Sequence, residues 1–70
     1  MITLFIDGNM LPELAEIALR RKNLGLTQKE LAGEAKVSRS LIAKVESGIA
    51  NPSFGQARKI FDLLERLEAM

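Results

Sequence analysis

The sequence predicts a compact all-α domain of four to five helices, preceded by a short extended segment. From Leu11 onward, apolar residues recur at three- and four-residue spacing. Each periodic stretch opens on Pro, Thr or Ser, and most close on Gly or a basic cluster. The composition, 47% apolar and 27% charged over 70 residues without cysteine, suits one small core at a length where about 60% of the unfolded surface is buried. A core of that size gains from staples or a partner, so a compact helical bundle or an oligomer is expected.

Residues 2–6 (Ile-Thr-Leu-Phe-Ile) are β-prone and end at the turn signal Asp7-Gly8-Asn9, which reads as an extended arm over residues 1–10. One short strand makes no sheet, so the arm packs on helices, frays, or pairs with a copy of itself. A first helix of about eleven residues follows from Leu11. Pro12 suits its first turn, Glu13 and Glu16 complement its positive end, and Leu14, Ile17 and Ala18 share a face. Arg20, Arg21 and Lys22 close it, and Asn23-Leu24-Gly25-Leu26 supplies a terminating Gly between apolar anchors.

Thr27 and Glu30 form a capping box for a short second helix with Leu31, Ala32 and Ala35 on its inner face. It stops before Val37. Ser38 then caps a third helix running to about Ser47, with Gly48 as the left-handed residue beyond it. On a helical wheel Ile42, Val45 and Ile49 fall together, while Arg39, Ser40, Ala43, Lys44 and Ser47 cover the opposite side. Asn51-Pro52 is a loop, Ser53 caps again with Gln56, and Phe54, Ala57, Ile60, Phe61, Leu64 and Leu67 recur to the end. Leu63 and Met70 widen that stripe, so the last helix, residues 53–70, is expected to meet a partner or to continue into a longer protein. With no internal repeat or linker, residues 1–70 read as a single domain.

The absence of His and Cys removes the side chains that most often act as general base or activated nucleophile, leaving carboxylates, lysines and four serines. An enzyme is therefore not expected, nor a metal site or other cofactor. No purely apolar run exceeds three residues, as at Leu4-Phe5-Ile6, which excludes a membrane span and makes the cytoplasm the default compartment. No small-molecule substrate is evident either. The net charge of +1 hides an uneven distribution: residues 1–19 carry three acids and no base, residues 20–44 carry seven bases against two acids, and residues 45–70 are one acid in excess. That central positive block is either a footprint for a polyanion or a solvated helix surface. The outward side of the third helix favours the former, because it holds small and basic residues and no acid, as a face lying against a phosphate-lined groove requires.

The unit that carries function is residues 27–48, two short helices joined by a tight turn, with small Ala32 admitting a close crossing that Val37, Ile42 and Val45 lock. Leu-Gly-Leu-Thr-Gln-Lys-Glu-Leu-Ala at 24–32, Val-Ser-Arg-Ser-Leu-Ile at 37–42, and Glu-Ser-Gly at 46–48 followed by Asn-Pro-Ser at 51–53 resemble the helix-turn-helix domain of the Cro and phage-repressor type, the xenobiotic-response-element family. The resemblance covers about residues 11–67. It implies a lambda-repressor-like all-α fold and a transcriptional regulator that binds double-stranded DNA as a homodimer.

Carried over by position, the resemblance assigns base reading to Arg39, Ser40 and Lys44, on a recognition helix over about residues 38–47. Arg or Lys can donate to guanine O6 and N7, and Ser serves several bases. The resemblance gives Gln28 a backbone phosphate and a bracing role toward the recognition helix, and Ser47 and the backbone around Ser53 complete a phosphate clamp. Lys29 is a further phosphate contact, or simply solvated. Arg21 and Glu46 occupy positions that form an internal ion pair in related domains. Leu41 flanks the packed face rather than touching a thymine methyl group. The family usually has Gly where Lys36 stands, a left-handed position at which another residue costs about 1 kcal/mol. The competing functional reading is a protein-interaction module, antitoxin-like or an adaptor, that holds a partner through Leu63, Leu67 and Met70.

Overall fold

A computed structural model describes residues 12–70. The expected extended arm over residues 1–10 lies outside that range. The described residues are all helix and connecting turns: α1 (Pro12–Ala15), α2 (Ile17–Asn23), α3 (Gln28–Ala35), α4 (Arg39–Glu46) and α5 (Phe54–Glu68). Elements α1 and α2 are two segments of one helical run, separated only by Glu16, whose backbone stays right-handed at φ −85° and ψ −11° and whose carbonyl still accepts from Arg20 N–H at 2.9 Å. The described residues thus form four helical rods.

Local chemistry sets the ends of these rods. Thr27 Oγ1 accepts from Glu30 N–H at 3.0 Å while the Glu30 carboxylate accepts from Thr27 N–H at 2.8 Å, and Ser53 with Gln56 repeats the reciprocal arrangement at 3.1 and 2.9 Å. Ser38 Oγ caps α4 by accepting from Leu41 N–H at 3.0 Å. Three helices end in the same way, with a left-handed residue and a backbone N–H reaching back five positions: Leu26 to Arg21 O at 3.1 Å, Val37 to Ala32 O at 3.0 Å, and Ile49 to Lys44 O at 2.9 Å. The left-handed residue is Gly25 at φ 76° and Gly48 at φ 79° in two of them. In the turn between α3 and α4 it is Lys36, at φ 60° and ψ 44°.

The core gathers Leu14, Ile17, Leu31, Ala32, Ala35, Ile42, Val45, Ile60, Leu63 and Leu64, with Leu24, Leu26, Val37, Leu41, Phe61 and Leu67 packed against it. Helix α3 packs against α4, and the small buried side chain of Ala32 on α3 suits such a close crossing. No helix among the described residues is long and apolar enough to cross a membrane.

The packing corrects the sequence reading at three residues, Ile49, Phe54 and Leu63. Ile49, expected beside Ile42 and Val45, is 76% exposed, because α4 ends at Glu46 and the left-handed Gly48 swings the chain off the helical wheel. Phe54, expected within the inner stripe of α5, is 79% exposed, since the core-facing line runs through Ile60, Leu63, Leu64 and Leu67. Leu63 and Met70, expected to extend that stripe toward a partner, part company: Leu63 is buried in the domain's own core and Met70 is 92% exposed beyond the last turn. The surface on which the interaction-module reading relied is therefore not available as a continuous stripe.

Candidate nucleic-acid interface

The exposed side of α4 is built by what its inner side must do. Ile42 and Val45 are wholly buried and Leu41 half-buried, so Arg39, Ser40 and Lys44 are left in solvent, with Ala43 partly covered between them. Glu46, the acid of this helix, does not share that surface. Its carboxylate turns back toward α2, where Arg21 Nε donates at 2.7 Å and Arg21 Nη2 at 3.0 Å. The two side chains retain only 10% and 7% of their surface. Arg21 Nη1 also donates to Leu26 O at 2.8 Å, so one guanidinium ties the end of α2, the approach to α3 and the end of α4 together.

Gln28 joins this cluster from the first turn of α3, its Nε2 donating to Glu46 Oε1 at 3.0 Å. Burial pushes the Glu46 carboxyl up, but the hydrogen bonds from Arg21 and Gln28, with the charges of Arg21 and Lys22, more than offset it and hold the group below the ordinary carboxylate value of 4.5. The acid is thus both neutralised and turned away. What α4 presents to solvent is basic and small, a surface suited to a polyanion.

The other residues assigned from the sequence stand at the start of α3, just after α4 and just before α5. Gln28 has spent one of its two amide protons on Glu46 and keeps the second for an outside acceptor. Lys29 is exposed beside it. Ser47, directly after α4, donates its single hydroxyl proton within its own helix, to Ala43 O at 3.0 Å and Lys44 O at 3.2 Å, so as it stands it offers only acceptor capacity outward. At Ser53 the backbone N–H is taken by Gln56, which leaves the hydroxyl proton and the N–H groups of Phe54 and Gly55 at the open end of α5. The sequence reading missed the bidentate pair between Arg20 and Glu68, at 2.8 and 2.6 Å, which binds the end of α5 to α2 with the Arg20 guanidinium 5.8 Å from the Phe61 ring centre. Two residues 48 positions apart carry no local signal of their pairing.

A short helix crossing against a second one that turns a basic, acid-free face outward defines a helix-turn-helix domain. The chain belongs to the helix-turn-helix family of the Cro and xenobiotic-response-element type, whose family model matches residues 17–67, from the start of α2 to within a residue of the end of α5. This is a DNA-binding regulatory family rather than an enzyme family, and in general terms the protein is a DNA-binding regulator. Comparison with curated proteins and with solved structures gives no significant match.

Proposed function

We propose that the protein is a sequence-specific transcriptional regulator, a repressor that acts in the cytoplasm as a homodimer on double-stranded DNA. In this reading α4 enters the major groove. Arg39 and Ser40, on its first turn, and Lys44, one turn further on, meet base edges, Arg39 by bidentate donation to a guanine. Gln28 and Lys29 at the start of α3, with the Ser53 end of α5 and with Ser47 once its hydroxyl turns out of its own helix, sit on phosphates and set register without reading sequence. A twofold dimer addresses half-sites about 34 Å apart, one turn of the duplex.

The observation that carries this reading is the placement of charge on α4: its exposed residues include Arg39 and Lys44, while Glu46 is held inward by Arg21. A merely solvated helix face usually mixes both signs. The test is selection from a randomised duplex pool at moderate salt, followed by sequencing. Enrichment of an inverted repeat whose half-sites lie one helical turn apart is the expected result, with affinity falling steeply as salt rises. An unenriched pool sinks the sequence-specific reading.

A further inference from the structure

The turn between α3 and α4 holds a strained residue that the fold itself does not need. Gly25 and Gly48 serve the two other helix ends built in the same way, whereas Lys36 takes the left-handed conformation at φ 60°. A side chain there costs about 1 kcal/mol. That side chain is exposed and, among the described residues, forms no ion pair. Strain kept for a group that does nothing inside the chain points to a contact outside it.

Lys36 does not stand alone. Where the end of α3 packs on α5, the buried Ala35 and Leu63 floor a shallow depression of ≈ 230 Å³, rimmed by Glu34 and Lys36 on one side and by Lys59, Asp62 and Arg66 on the other. Lys59 and Arg66 are exposed two turns apart on one face of α5, about 10 Å along its axis. Asp62 leans toward Arg58 at 3.7 Å, while Lys59 and Arg66, like Lys36, enter no ion pair among the described residues. Three uncommitted cations thus surround an apolar floor.

The volume lies below the about 300 Å³ at which small-molecule sites begin, and it suits a single apolar side chain. A run of phosphates suits it poorly, because Glu34 and Asp62 share the rim and would face them. A peptide can keep its acids clear of both. We infer that this depression docks an acidic peptide segment of a partner protein. One apolar side chain of the peptide rests over Ala35 and Leu63, and carboxylates on either side of it meet Lys59 and Arg66 along α5 and Lys36 across the groove, Arg66 by bidentate donation. The depression shares no residue with the set proposed to touch DNA, so the docking is independent of DNA binding.

The test is selection of short peptides from a random display library on the full chain. The affinity of the selected peptide is then measured by fluorescence anisotropy, and its footprint by amide shift mapping. The expected peptides carry an apolar residue between two acids spaced to meet Lys59 and Arg66. K59E and R66E should each weaken the selected peptide about tenfold or more, because each sets like charges against one another. K36G should weaken it about threefold, the share of one exposed ion pair, at an unchanged or higher melting temperature. Binding lost from a fold no less stable is not unfolding. Shifted amides should fall at Ala35 to Val37 and along Lys59 to Arg66. An unenriched library, selected peptides without acids, or binding untouched by the three variants overturns the site. Weaker duplex binding by K59E and R66E, each with a salt slope lower by about one, also overturns it and moves these cations to DNA phosphates.

Discussion

Gln28 opens α3 and Glu46 closes α4, and the amide of the first donates to the carboxylate of the second at 3.0 Å while Arg21 holds both oxygens of that carboxylate. The crossing of the two helices is therefore fixed by polar contacts at their ends as well as by Ala32, Ile42 and Val45 between them. Removing the carboxylate leaves Arg21, 8% exposed, without its counter-ion. Glu46→Ala is expected to cost about 3 kcal/mol in urea unfolding, the lower end for a broken buried pair because both side chains keep some contact with water. Gln28→Ala, which removes one hydrogen bond to a charged group, should cost about 1.5 kcal/mol. Equal small losses from both would mean that water replaces the pair.

The same carboxylate governs behaviour in acid. Burial raises Glu46, but its hydrogen bonds and neighbouring positive charges hold it below 4.5 in the folded chain, and the hydrogen bond from Arg20 does likewise for Glu68. A carboxyl with a depressed folded pKa stabilises the fold above its unfolded value, and that contribution disappears as pH falls through the folded value. Stability should hold from neutral pH down to about pH 5 and decline below it. Glu46→Gln should flatten that decline. Glu68→Gln should flatten it less, and its effect should fade in high salt, since the pair with Arg20 is partly exposed at 22% and 37%. Denaturation midpoints measured across the acid range decide this, and an unaltered acid slope in Glu46→Gln would assign the loss to other carboxylates.

Lys36 is the non-glycine residue with positive φ among the described residues, at the one of three similarly built helix ends that lacks Gly. Its backbone N–H is satisfied by Ala32 and Gly33 carbonyls, so the strain lies in the Cβ alone. Lys36→Gly should raise stability by about 0.5 to 1 kcal/mol, a few degrees in melting temperature for a domain of this size. Gly25→Ala and Gly48→Ala should lower it by a similar amount. A Lys36→Gly chain no more stable than its parent would mean that the gain is spent on the entropy of the unfolded glycine.

Where the chain's own neighbours decide structure, the sequence was legible. Thr27 with Glu30, Ser53 with Gln56, Ser38, Gly25 and Gly48 act over a few residues, and each marks the helix end its chemistry implies. The outward placement of Arg39, Ser40 and Lys44 was equally readable, because Ile42 and Val45 fix which way α4 faces. What could not be read depends on distant partners. The apolar positions of α5 cover more than one face, and only the docking of α3 and α2 selects Ile60, Leu63 and Leu64 over Phe54. Ile49 continues the α4 periodicity in sequence but follows a left-handed turn that ends it in space.

Two lysine and arginine positions separate reading from holding. Arg39 lies on the first turn of α4 with its side chain in solvent, and Lys29 lies on the first turn of α3, outside the helix proposed to enter the groove. A bidentate contact to one guanine discriminates by about 1 to 3 kcal/mol, so Arg39→Ala should weaken binding to the selected operator by that amount while binding to a variant at that base changes little. A phosphate contact carries no sequence information, so Lys29→Ala should weaken every duplex alike and lower the salt slope of log K by about one. Binding measured on the operator and its single-base variants at several salt concentrations tells the two apart. Equal loss on every duplex from Arg39→Ala would move Arg39 to the phosphate backbone, and an unchanged salt slope from Lys29→Ala would leave that lysine merely solvated.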